Sequence, residues 1–247
     1  MNKILSWFRK GVFPLVMVTV SGLLLTSCLK NNGGDYQNIP AAGLMAFNLA
    51  PDQQSLLIQL SGNTLTANPL AYQSFTGVYQ NIYLGNRSIT SFDYPNPLPL
   101  TNSHYNFEQH KYYSLFVVGI DSHYRNVVSV DNFDSLSAAS GKAYVRYINA
   151  ITDSVNTANV TITSNGNSVV NDNAVYASVS EFKEVAPGDI NIVVKSTNGV
   201  DVSRTISVEQ KKVYTILLSG IPKDTNDKTK VQIRFVTNGT LTGDVKQ

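Results

Sequence analysis

The chain has 247 residues, with 19 Lys+Arg against 17 Asp+Glu, a formal charge of +2. Three of those cations, Lys3, Arg9 and Lys10, stand in the first ten residues without an acid. Removing residues 1–27 leaves 16 cations, 17 acids and 220 residues, which excludes a basic field for nucleic acid or an anionic surface.

Met1–Lys10 is a positive n-region, Gly11–Leu25 an apolar run, and the small residues Thr26 and Ser27 precede Cys28. This is the three-part grammar of an export signal. The apolar run is shorter than the roughly 20 residues a membrane span needs, so residues 1–27 read as a cleaved signal peptide. The ending Leu25-Thr26-Ser27-Cys28 resembles the lipobox of bacterial lipoproteins. That resemblance implies a diacylglycerol on the Cys28 sulfur, cleavage before it and an acyl chain such as palmitate on the freed amine. Two or three acyl chains anchor stably where one does not. The membrane, reached through lipid on Cys28, is therefore the first expected partner. Leu29 stands where an Asp would resemble an inner-membrane retention signal, so the outer membrane of a Gram-negative cell is the expected location. Residues 28–42 read as the lipidated cysteine and a flexible tether spanning roughly 20 Å.

Cys28 is the one cysteine, so no disulfide staples the fold, and stability rests on buried apolar area. Asn, Ser, Thr, Val and Tyr are abundant, which suits pleated, half-buried strands and the turns between them. Leu56, Ile58 and Leu60 alternate with more polar neighbours before a Gly62-Asn63 turn. Val160 and Ile162 do so before Asn165-Gly166, and Ile190, Ile192 and Val194 repeat the period of two. Alternation punctuated by Gly and Asn predicts a sandwich or barrel.

An internal repeat organises these strands. Glu108-Gln109-His110-Lys111-Tyr112-Tyr113 aligns without a gap, at a shift of 101, with Glu209-Gln210-Lys211-Lys212-Val213-Tyr214. At the same shift Asn48-Leu49-Ala50-Pro51-Asp52 meets Asn149-Ala150-Ile151-Thr152-Asp153. Tyr79 and Gly85 match Phe182 and Gly188 after a two-residue offset. Two repeats are expected, at 43–134 and 142–247, with a Ser/Ala/Gly linker at 135–141. Tyr113–Val118 and Tyr214–Leu218 are apolar on both faces and read as central strands, with the Glu-Gln lead-ins as hairpin turns.

At these anchors the chain resembles the bacterial domain-of-unknown-function family 4397, found in exported proteins and often in tandem. The family's opening pattern appears as Val145-Arg146-Tyr147-Ile148-Asn149-Ala150, and more loosely as Met45-Ala46-Phe47-Asn48. Its middle turn appears as Val185-Ala186-Pro187-Gly188 and its closing strand as Tyr214-Thr215-Ile216-Leu217-Leu218-Ser219-Gly220. The first repeat departs from the pattern at Ala46 and by the insert Tyr94-Pro95-Asn96-Pro97-Leu98-Pro99-Leu100. The resemblance implies all-β architecture, two tandem immunoglobulin-like or transthyretin-like β-sandwiches. It implies no established activity.

No Gly-x-Ser-x-Gly elbow, Walker A loop or His-Glu-x-x-His run is present. His104, His110 and His123 all lie in the first repeat, without ligand spacing. The loops at Asp131 with Asp134, Asn171-Asp172-Asn173, and Asp224 with Asp227 lack a graded calcium run ending in Glu. No catalytic residue, metal or cofactor is therefore assigned. Aromatic residues concentrate in the first repeat, and loop 93–106, with Tyr94 and Tyr105, is the candidate binding surface for a polysaccharide or protein ligand. The function expected is that of a non-catalytic, lipid-anchored envelope protein, a binding or structural module. The alternatives are a surface adhesion or pilus-like subunit, and a glycan-acting hydrolase using Glu108, Asp121 or Asp131.

Overall fold

The computed structural model describes residues 40–96 and 98–242. Cys28 and most of the expected tether lie outside them. Nine strands make the first repeat: β1 (Ala41–Asn48), β2 (Ser55–Leu60), β3 (Asn63–Thr64), β4 (Leu70–Ala71), β5 (Gln80–Tyr83), β6 (Gly85–Asp93), β7 (Pro99–Phe107), β8 (Tyr112–Val118) and β9 (Arg125–Val130). Eight make the second: β10 (Ala143–Ile151), β11 (Ala158–Ser164), β12 (Asn167–Ala174), β13 (Lys183–Val185), β14 (Gly188–Lys195), β15 (Asp201–Val208), β16 (Lys212–Gly220) and β17 (Gln232–Thr240). β1 begins two residues inside the expected tether.

Each repeat is a two-sheet sandwich with the same plan. The inner sheets run β5-β1-β8-β9 and β13-β10-β16-β17, and in each the opening strand lies parallel to the closing one. The outer sheets run β3-β2-β6-β7, with β4 also pairing β2, and β12-β11-β14-β15. Alternation assigns the faces. Leu44 and Ala46 of β1 and Leu115 and Val117 of β8 face the first sandwich core, with Leu56, Ile58 and Ile89 opposite. Val145, Tyr147, Ile216 and Leu218 face the second, with Val160, Ile162 and Ile192. The other faces of the inner sheets meet each other. Met45, Phe47, Phe116 and Val118 pack on Ile148, Ala150, Leu217 and Val236 in a third core that joins the repeats. The order is thus outer sheet, inner sheet, inner sheet, outer sheet. It explains why β8 and β16 are apolar on both faces: they are central, and their sheets are covered on both sides.

The repeated sequence anchors have repeated physical jobs. Asn48 and Asn149 are buried at the ends of β1 and β10. Asn48 Nδ2 donates to the Gln53 and Leu70 carbonyls, and its Oδ1 accepts the Ala50 N–H. Asn149 repeats this with Ala174, Val175 and Ile151. The Glu-Gln lead-ins are not hairpin turns: each carries the chain from an outer sheet (β7, β15) to an inner one (β8, β16). At this corner the Tyr113 and Tyr214 hydroxyls accept the Glu108 and Glu209 backbone N–H at 3.0 and 2.9 Å, a tyrosine corner in both copies. Gly119 and Gly220 close β8 and β16 at φ +134° and +128°, where a Cβ would collide with the backbone of the returning loop. Ser61-Gly62 and Asn165-Gly166 are two-residue hairpin turns with positive φ at both positions. The first lies one residue earlier than its sequence signal.

Candidate functional site

The two repeats point the same way. Asp131, whose N–H bonds the Tyr112 carbonyl at the start of β8, meets Arg146 near the start of β10. Gln73, bonded to the Asn48 carbonyl at the end of β1, reaches Ser219 at the end of β16. The end where β1 and β10 begin is the base; the other is the tip.

A cleft of about 540 Å³ opens at the tip between the repeats. The loop after β8 supplies Ile120, Asp121, His123 and Tyr124, and β9 opens with Arg125. Across from them stand Thr152, Ser154 and Tyr176 of the second repeat. Asp52 holds one wall, its Oδ2 accepting the Tyr124 hydroxyl and the Asp121 backbone N–H, while Gln53 Nε2 donates to the Tyr124 oxygen at 2.6 Å. Burial, then the Asp52 carboxylate, pushes the Tyr124 hydroxyl up to about 12. Asp153 fixes the opposite wall by accepting the Val155 and Asn156 N–H and both side-chain amides of Asn156 and Asn198. The Arg125 guanidinium lies 5.7 Å above the Tyr176 ring and makes no ion pair among the described residues. The cleft therefore presents the Arg125 guanidinium, the His123 ring, the Asp121 carboxylate and the hydroxyls of Tyr124, Thr152, Ser154 and Tyr176, a set suited to hydrogen-bonding a hydroxylated ligand.

Around it, four of the seven exposed large apolar side chains among the described residues lie on tip loops: Tyr94, Leu98, Val155 and Val175. The two sequence candidates part company here. Tyr94 is on the tip beside Ser55, whose carbonyl accepts its N–H. Tyr105 is not in a loop, because Pro99–Phe107 forms β7, with Tyr105 opposite Arg87. It packs on the first core, 5.2 Å from Phe107 and 5.6 Å from Tyr113. Six residues of strand, about 20 Å, separate it from the Tyr94 turn. The expected surface over 93–106 is thus not one surface.

The remaining candidates are also scattered. His104 is on β7, His110 in the basal corner at φ +60°, and His123 at the tip. Glu108 pairs with Lys111, Asp121 lines the cleft, and Asp131 is buried at the other end of β9. Asp224 accepts from Thr229 and the Asn226 N–H within its own turn, and Asp172 accepts the Tyr147 hydroxyl. Among the described residues no group of three His, Cys, Asp or Glu stands close enough to hold a metal ion.

Sequence reasoning missed the polar centre of the seam. Arg146 Nη2 lies 2.6 Å from Asp131 Oδ1. The same guanidinium donates to Ser114, Ser129 and Thr215 and sits 4.4 Å from the Phe182 ring. Asp131 Oδ2 accepts the Ser114 and Tyr79 hydroxyls, and Tyr79 accepts from Asn238. The available signal was a charged residue inside an otherwise apolar central strand, which must find a counter-charge.

Two solved structures resemble the chain distantly. The tip fimbrial protein Mfa3 from Porphyromonas gingivalis, with a C-terminal truncation, is 8% identical with a TM-score of 0.28, covering 81% of this chain and 99% of that one. The module CBMbc (family CBM26) from Eubacterium rectale Amy13K, in complex with maltoheptaose, is 9% identical with a TM-score of 0.24, covering 81% and 97%. Likeness at this level assigns neither ligand nor partner to this chain. No curated protein matches the sequence. The family model does match, twice, over residues 42–157 and 143–245, and the chain belongs to the family described as "Domain of unknown function (DUF4397)".

Proposed function

We propose that the chain is a non-catalytic binding module of the cell envelope, tethered at its base through lipid on Cys28 and binding with its tip. One observation carries this reading. The polypeptide reaches the first repeat at the base, where β1 begins, while the cleft and the exposed Tyr94, Leu98, Val155 and Val175 gather at the opposite end. Nine residues of β10 put the two ends about 30 Å apart. The buried seam packs the two sandwiches side by side with both tips at one end, so a base held near a membrane presents the tip away from it. Loops at one end of a rigid sandwich are a usual place for recognition. The ligand proposed is an envelope or extracellular polysaccharide, met by the hydroxyls and Arg125 of the cleft. A protein surface is the other outcome.

Two experiments test the halves of this reading. An alkyne fatty acid should label the chain in cells and fail to label Cys28→Ser; equal labelling of both sinks the tether. A variant with Tyr94, Leu98 and Val155 all changed to Ser should keep its unfolding midpoint yet stop co-sedimenting with the cell's insoluble polysaccharide. Undiminished sedimentation would remove the tip from the interaction, and binding to protease-sensitive material alone would identify a protein ligand.

A further inference from the structure

The seam joins the same face of both repeats, as a two-fold axis would. At the shift of 101, Ser114 corresponds to Thr215 and Met45 to Arg146. Strand register extends the correspondence: Tyr113 pairs with Val130 and Tyr214 with Thr237, so Asp131 corresponds to Asn238. The hydrogen bonds agree, since Ser114 donates to Asp131 and Thr215 donates to Asn238. One arm of the near-symmetric seam thus holds Arg146, Asp131 and Ser114. The related arm holds Met45, Asn238 and Thr215, all neutral.

We infer that the inner-sheet face is a pairing surface made one-way by this single charge pair: the face bearing Asp131 accepts the face bearing Arg146, and neither accepts its own kind. The apolar seam residues, Phe47 and Phe116 on one side and Ile148 and Leu217 on the other, differ in size but meet apolar neighbours in every pairing, so they do not forbid self-pairing. The charges do. Two first-repeat faces would bury Asp131 opposite Met45 twice, leaving carboxylates without a cation. Two second-repeat faces would bury Arg146 opposite Asn238 twice, leaving guanidinium groups without an anion. A lone buried charge is costly, so both pairings are rejected, and the cross-pairing alone places one cation on one anion. The partner this surface fits is therefore an Arg-bearing repeat of the same family, met here within one chain.

The test uses the folded full chain with a protease site inserted between Leu136 and Gly141. After cleavage, the paired halves are partly denatured, refolded together and weighed by native mass spectrometry. The natural sequence should return mixed pairs, at least about tenfold over either self-pair. D131N/R146M, neutral in both arms, should return both self-pairs in readily measured amounts beside the mixed pair. Self-pairs from the natural sequence, halves of it that do not re-pair, or exclusive mixed pairing by the double variant would each overturn the inference. In the uncut chain, D131N and R146M alone should each lower the unfolding midpoint more than the two together. A double variant as impaired as the summed singles would also overturn it.

Discussion

Arg146 and Asp131 stand 2.6 Å apart in the seam between the repeats, their side chains 1% and 0% exposed. They come from different repeats, and Ser114, Ser129, Thr215, Tyr79 and Asn238 are organised around them. Removing one partner strands the other in a low-dielectric core, which costs about 3–5 kcal/mol. Asp131→Ala should therefore bring the chain close to the limit of stability of an ordinary domain. Chemical denaturation followed by tyrosine fluorescence will measure it; a loss under about 1 kcal/mol would mean that water reaches the guanidinium.

Asn48 and Asn149 make the second prediction. Each carboxamide satisfies two carbonyls and one N–H, those of Gln53, Leu70 and Ala50 in the first copy and of Ala174, Val175 and Ile151 in the second. Substitution by Ala orphans buried backbone groups, at about 1–3 kcal/mol in each copy. The two losses should add, because the residues serve separate cores. Strong non-additivity in the double variant would show that the seam transmits one loop's disorder to the other.

These residues show what was legible and what was not. The Asn, the corner Tyr and the closing Gly each act within one repeat, through neighbours a few residues away or in the adjoining strand. Their jobs recur at a fixed shift, and the repeat exposed them. The seam involves one residue from each copy, and its charges break the repeat: Arg146 aligns with Met45, and Asp131 with Asn238. A pairing present once and spanning two units leaves no periodic trace. Tyr105 failed for another reason. The prolines suggested a long loop, yet Pro99 only opens β7, a position at the edge of a sheet where a missing N–H is tolerated.

Tyr94 and Tyr105 should accordingly respond in opposite ways. Tyr105→Ala removes a ring that is half-buried against Phe107 and Tyr113 and should cost about 2 kcal/mol. Tyr94→Ala alters an exposed turn residue and should stay within about 0.5 kcal/mol of the natural chain. A thermal scan of both decides it: equal melting temperatures would contradict the packing assigned to Tyr105.

The seam also sets an alkaline limit on stability. Burial first, then the negative charge of Asp131, hold the Tyr79 hydroxyl well above the ordinary phenol range, and Tyr147 is raised likewise by burial and Asp172. A group whose folded pKa lies above its unfolded value of about 10 contributes stability that is complete below that pH. The contribution is lost as pH rises further, because the unfolded chain releases the proton and the folded chain does not. The denaturation midpoint should therefore hold level to about pH 9 and then fall steadily up to about pH 11. Tyr79→Phe should begin lower, having lost the bonds to Asp131 and Asn238, but descend less steeply over that range. A variant with the same alkaline slope as the natural chain would show that the titration lies elsewhere, with Tyr147 the next residue to change.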